Sequence, residues 1–149
     1  MSNPKRGPSG RRSSRKRGQA MVEFAMVLPL FMLVLSGIAD FGFALYQRMS
    51  VINAAREGAR AAAMVTDHAT IVTTATGTAQ AAAAQGGLGG TLTVVVTCSP
   101  HASDCSDAQV NDLVTVKTSY PYSSFFPLTF RATFSLDSTV QMVLESLGT

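Results

Sequence analysis

FAMVLPLFMLVLSGIADFGFALY, residues 24–46, decides how this chain is built. No charged residue falls between Phe24 and Ala39, and Asp40 alone interrupts the run before Tyr46. As an α-helix at about 1.5 Å per residue, the segment reaches about 34 Å, enough for a hydrocarbon core of about 30 Å. The core helix of a soluble protein is a poor alternative, because roughly 100 remaining residues would have to enclose a helix apolar all round. A secretory signal peptide fits no better. Its apolar region runs about 7–15 residues and closes on a small-x-small cleavage site. Here the run passes into Gln47-Arg48-Met49 and a further helical pattern with no break. The expectation is a transmembrane helix.

Charge placement supports it. The chain of 149 residues carries a net +3, yet seven of its twelve basic residues (Lys5, Arg6, Arg11, Arg12, Arg15, Lys16, Arg17) precede Gly18 and no acid does. The rest holds five basic residues against nine acids, a net of −4. A basic arm can neutralise nucleic-acid phosphates or mark the cytoplasmic flank of a membrane helix. The apolar run that follows selects the second, so lipid is the expected partner and nucleic acid is not. The N-terminus is expected in the cytoplasm of a single-pass protein and the C-terminal part outside.

Working outward, residues 1–18 form a basic leader with the composition of a disordered segment. Residues 19–65 read as one helix of about 70 Å that continues past the bilayer through Ala-rich sequence. Residues 66–149 form an extracytoplasmic α+β domain. Thr66 or Asp67 can cap a second short helix, which Gly86-Gly87-Leu88-Gly89-Gly90 ends as a flexible connector. From Thr91 the period changes to two, and three strands are predicted over 91–97, 113–122 and 131–143. Val114, Val116, Thr118 and Tyr120 share one face, as do Phe134, Leu136, Val140 and Met142. The fold class is therefore α+β: a long N-terminal transmembrane helix extending out of the membrane, a second helix, and a small antiparallel sheet of about three strands.

The junction Gly18-Gln19-Ala20-Met21-Val22-Glu23 carries the most specific signal. A basic cluster precedes it and the apolar run follows, and in that position it resembles the processing site of type IV prepilins. The resemblance implies cleavage after Gly18 by a prepilin peptidase, with Glu23 the fifth residue of the mature chain. A carboxylate at the lip of a bilayer needs a partner. A new α-amino group on Gln19, one helical turn away, would supply one and set axial register between stacked subunits. Snorkelling of Glu23 to the headgroups is the plain alternative.

A wider stretch narrows the family. Arg17 to Leu30, then Gly37-Ile38-Ala39-Asp40-Phe41-Gly42, then Asn53-Ala54-Ala55-Arg56-Glu57-Gly58-Ala59-Arg60, is similar to the TadE-like family over residues 17–65. That resemblance implies a minor pilin or pseudopilin of the tight-adherence (Flp) pilus or a related secretion system, resident in the bacterial cytoplasmic membrane. Its partners would be the prepilin peptidase, other pilins and assembly-platform proteins. It also makes Asn53, Arg56, Glu57, Gly58 and Arg60 a family signature, although a solvated face explains the same polar residues.

Three further features bear on function. Gly37, Ala44, Val51 and Gly58 recur every seven residues, with Asp40, Gln47, Ala54 and Ala61 between them. Such a stripe lets a partner helix approach closely, unless an alanine-rich helix merely matches the spacing by chance. Cys98 and Cys105 flank a polar loop, and outside the cytoplasm a disulfide is the leading expectation, ahead of two free thiols or a metal site with His101 and Asp104. Catalysis finds no motif: His68 and His101 stand in no nucleophile or metal pattern, and Gly86 to Gly90 lacks the lysine of a phosphate loop. No enzyme activity, cofactor, metal or small-molecule substrate is expected. Tyr120, Tyr122, Phe125, Phe126 and Phe130 read as core. The competing expectation is an uncleaved single-span protein whose outer domain binds an envelope partner.

Overall fold

The computed structural model describes residues 13–100, 104–124 and 133–145. The chain divides into two compact units, the first ending at Ala39 and the second beginning at Asp40. Helix α1 (Ser13–Ala63) runs through both. It begins ahead of the expected Gln19, so Ser13 to Gly18 are helical where a disordered leader was predicted. Arg15, Lys16, Arg17 and Gln19 are good helix formers, and one glycine costs only about 1 kcal/mol, too little to stop the helix. The first twelve residues of the leader lie outside the described ones.

In the first unit, Met21, Phe24, Met26, Leu30, Phe31, Met32 and Leu33 all stand exposed. An 18-residue window within Gly18–Ala63 has a mean hydropathy of 2.2 and none of it is buried. An apolar helix left uncovered by its own protein over this length calls for lipid. Among the described residues it is the one helix long and apolar enough to cross a membrane, which suggests a single-pass membrane protein.

The second unit starts with the last part of α1. A 3-10 turn (His68–Thr70) leads into α2 (Ile71–Gln85), so the α-helix starts a few residues after the expected caps Thr66 and Asp67. Asp67 does cap, but on the turn: its Oδ1 accepts the Ala69 N–H at 3.2 Å, while Thr70 at the N-cap of α2 makes no side-chain bond. One stripe of α2 is buried (Ile71, Ala75, Ala79 and Ala83), and all but the first are small enough for close helix contact. The glycine segment after α2 is more than a connector. Leu88 N–H donates to the Ala83 carbonyl at 3.1 Å and Gly87 N–H to that of Ala84 at 3.1 Å, with Gly87 at φ +73°. This is a Schellman C-cap, which needs the left-handed residue that glycine supplies without strain. Leu88 is buried beside Ala83, so the cap also pins the chain to the core.

Strands β1 (Thr93–Ser99), β2 (Leu113–Ser123) and β3 (Thr133–Val143) form one antiparallel sheet in the order β1-β2-β3. Val116 on the central strand pairs with Val96 and Val140. The alternation on β2 holds as predicted: Val114, Val116, Thr118 and Tyr120 are all buried, and Tyr122 extends the row. On β3 only Leu136 is fully buried; Val140 and Met142 are partly covered and Phe134 is 46% exposed. Phe125, Phe126 and Phe130 lie outside the described residues.

Two apolar clusters share this interior. One joins Ala59, Ala62, Ile71 and Ala75 to Val96, Val114, Val116 and the two cysteines. The other joins Val51, Ala54, Ala79, Ala83 and Leu88 to Leu92, Tyr120, Tyr122 and Leu136. The polar ties are few and specific. Thr118, wholly buried, donates from Oγ1 to the Val51 carbonyl at 3.3 Å, and Ser50 Oγ donates to the Gly86 carbonyl at 2.9 Å.

At Gly58 the seven-residue stripe is approached by the chain's own α2. A Cβ on Gly58 would lie 3.0 Å from the Ala75 carbonyl oxygen and 3.0 Å from Ala79 Cβ. Ala44 packs partly against the Val51 cluster. The close approach that small residues permit is thus made to the chain's own α2, because the short connection after Ala63 turns that helix back onto α1. Gly37, in the first unit, has nothing within 4 Å of where its Cβ would be and remains open to an outside partner.

Candidate functional site

Gly18, Gln19 and Glu23 lie on α1, all exposed, and a Cβ built on Gly18 would meet nothing within 4 Å. The glycine is therefore not required by packing. The signature cluster divides by face. Gly58 points into the domain, while Asn53, Arg56, Glu57 and Arg60, at helical spacings of three and four, are all exposed and form a polar stripe on the opposite side of α1. A solvated face accounts for those four as well as a docking surface does.

Asp40 is the residue whose surroundings the sequence did not disclose. Tyr122 donates from its hydroxyl to Asp40 Oδ1 at 2.8 Å and to the Asp40 carbonyl at 3.1 Å. Ser124 donates to Oδ2 at 2.6 Å. Both carboxylate oxygens are thereby engaged by the end of β2, 82 and 84 residues away in sequence. An acid in an apolar run costs free energy unless its lone pairs are filled, and hydrogen bonds to a charged group are the strong kind. The sequence held a clue: alternation along β2 turns Tyr122 inward, and an inward phenol requires an acceptor.

Burial first, and then the Asp40 carboxylate as acceptor and neighbouring charge, push the Tyr122 phenol up from 10.0 to about 12. A folded-state value above the unfolded one stabilises the fold fully below about pH 10, and that contribution fades as pH rises from 10 toward 12. Tyr122→Phe should therefore lose less melting temperature than the wild type between about pH 9 and 11. Thermal unfolding of the detergent-solubilised full chain, followed by far-UV circular dichroism at the two pH values, measures it. Among exposed acids, the Ser106 hydroxyl and backbone lower Asp104, and Ser119 and Ser135 lower Asp137.

Cys98 and Cys105 are joined, with S–S 2.05 Å and Cα atoms 5.1 Å apart, and both are buried in the core. Past the closed loop, the connection into β2 is held where Gln109 N–H donates to the buried Asp112 carboxylate at 2.9 Å and Leu144 N–H to the Asp112 carbonyl at 2.8 Å. Replacing both cysteines by serine should cost about 2 kcal/mol, the scale for a short closed loop. Urea unfolding of the double variant against wild type checks that value. His101 lies outside the described residues. No group of three or more His, Cys, Asp or Glu able to hold a metal occurs among the described ones.

The chain joins an apolar helix long enough to cross a membrane to a small α+β domain that holds an acid–phenol–hydroxyl clamp, the make-up of a single-span membrane protein. Residues 18–60 match the family model described as TadE-like protein, the family that residues 17–65 resemble. The match covers the apolar run, Asp40 and the signature cluster, and it points to a Tad pilus-related membrane protein. No curated protein and no solved structure matches the chain.

Proposed function

We propose that this chain is a minor prepilin or pseudopilin that acts in assembly of a Flp (tight-adherence) pilus or a related secretion system, in a structural and not a catalytic role. The observation that carries the reading is the extent of the family match, which begins at Gly18 and runs to residue 60. A prepilin peptidase cuts after Gly18, leaving Gln19 as the first residue. The basic leader is cytoplasmic and the α+β domain lies outside, where Cys98 and Cys105 oxidise. Glu23 then pairs with an α-amino group at Gln19, its own or a neighbour's. Gly37 faces other pilins.

One observation favours the competing reading of an uncleaved single-span protein that binds an envelope partner. The Gly18–Gln19 bond lies within α1, and a peptidase must unwind a helix to cut it. Gly18 makes that unwinding inexpensive, since glycine is the residue a helix releases most easily. Intact-mass measurement of the protein from its native host decides the matter. Cleavage predicts a chain starting at Gln19 and accumulation of the uncut form when Gly18→Glu blocks the site. Recovery of wild type with residues 1–18 attached, in cells making the peptidase, would overturn the proposal.

A further inference from the structure

Gln47 is 8% exposed, and its side-chain oxygen is buried with no hydrogen-bond partner. It lines a cleft of about 290 Å³ together with Phe43, Tyr120, Pro121, Ser123 and Ser124. A buried acceptor without a donor is costly, and natural proteins rarely leave one so unless something else fills it. We propose that this cleft binds the primary ammonium of an ethanolamine lipid headgroup, which donates to Gln47 Oε1.

Three properties of the cleft select that chemistry. The orphan group is an acceptor, so its ligand must carry N–H or O–H. Among the described residues the lining holds an aromatic ring, Phe43, and no Lys, Arg or His, while Ser124 is bonded to the Asp40 carboxylate. Ring face and carboxylate both favour a cation over an anion. Position supplies the third. Phe41, Phe43 and Tyr46 stand exposed within six residues of each other on α1, the aromatic belt expected where lipid meets water. A cleft beside that belt lies at headgroup level. A quaternary choline headgroup brings the cation but no N–H, and glycerol headgroups bring hydroxyls with a net negative charge, so neither satisfies the site.

The inference rests on membrane anchoring alone and not on cleavage or pilus assembly. Its test places the full chain in nanodiscs of equimolar phosphatidylethanolamine, phosphatidylcholine and phosphatidylglycerol. Native mass spectrometry then counts the lipid that stays bound after the disc is stripped. Wild type should retain phosphatidylethanolamine roughly tenfold over phosphatidylcholine, the scale of one hydrogen bond from a charged donor. Gln47→Leu should bring that ratio to near one without lowering the melting temperature, because leucine removes an unsatisfied acceptor. Phe43→Leu, at a half-exposed position where folding is not at issue, should lower the ratio several-fold. Equal retention of the headgroups by wild type, a preference for phosphatidylglycerol, or a preference unchanged in both variants would overturn the site. Failure of the chain to enter the discs at all would overturn the membrane reading itself and the site with it.

Discussion

Gly58→Leu is expected to destabilise the domain by about 3 kcal/mol or more, enough to leave much of it unfolded at physiological temperature. The reason is the identity of what a side chain would strike. The nearest atoms are the Ala75 carbonyl oxygen and Ala79 Cβ, each 3.0 Å from a bare Cβ, with Val116 Cγ1 at 3.5 Å. None is the free end of a flexible side chain. Room for leucine is made only by driving α2 away from α1, and that separation opens the cluster of Ala59, Ala62, Ile71 and Ala75 as well as that of Ala54, Ala79 and Ala83. Gly58→Ala tests the argument at finer grain. Alanine regains up to about 1 kcal/mol of helix propensity but overpacks a contact worth about 1–3 kcal/mol, so a net loss near 1 kcal/mol is expected. Chemical unfolding of both variants in micelles, followed by near-UV circular dichroism of the tyrosines, gives the two numbers. A Leu variant as stable as wild type would show that α2 does not pack at Gly58.

The same glycine shows where sequence reading reaches its limit. Its seven-residue spacing with Ala44 and Val51 marks one helix face, but spacing names a face and not its occupant. The occupant here is α2, brought back by a connection of a few residues. Local signals fared better: the Val114–Tyr120 alternation, the change of period after the glycine segment, and the apolar run of 24–46 each reflect interactions between near neighbours in sequence, and each reappears in the fold. The start of α1 was placed late because a basic, Ser-containing leader has the composition of a disordered tail although its Arg and Lys suit a helix. Phe134 shares a face with Leu136 yet stands half-exposed, because period alone says which side a residue takes and not how far the covering layer extends; its ring packs on Tyr122, centroids 5.0 Å apart. Asp40 was expected on a seam with another helix. No local pattern reveals a hydroxyl pair 82 and 84 residues downstream.

That clamp yields the second large effect. Asp40→Ala should lower stability by about 3 kcal/mol, since two hydrogen bonds to a charged acceptor vanish and two part-buried hydroxyls lose their acceptor. The Asp40 carbonyl still receives the Tyr122 hydroxyl at 3.1 Å, which keeps the loss below that of a fully stranded pair. Asp40→Asn retains shape and one acceptor oxygen, so about 1 kcal/mol is expected. Tyr122→Phe should cost about 1–2 kcal/mol, and the double variant with Asp40→Ala less than the two single losses together, by at least about 0.5 kcal/mol, because both delete one interaction. The order Ala worse than Asn, with positive coupling to Tyr122, is the signature of a hydrogen-bonded clamp. If Asn were as damaging as Ala and coupling were absent, Asp40 would act through its charge alone, toward lipid or another chain. The clamp would then be incidental to holding β2 against α1.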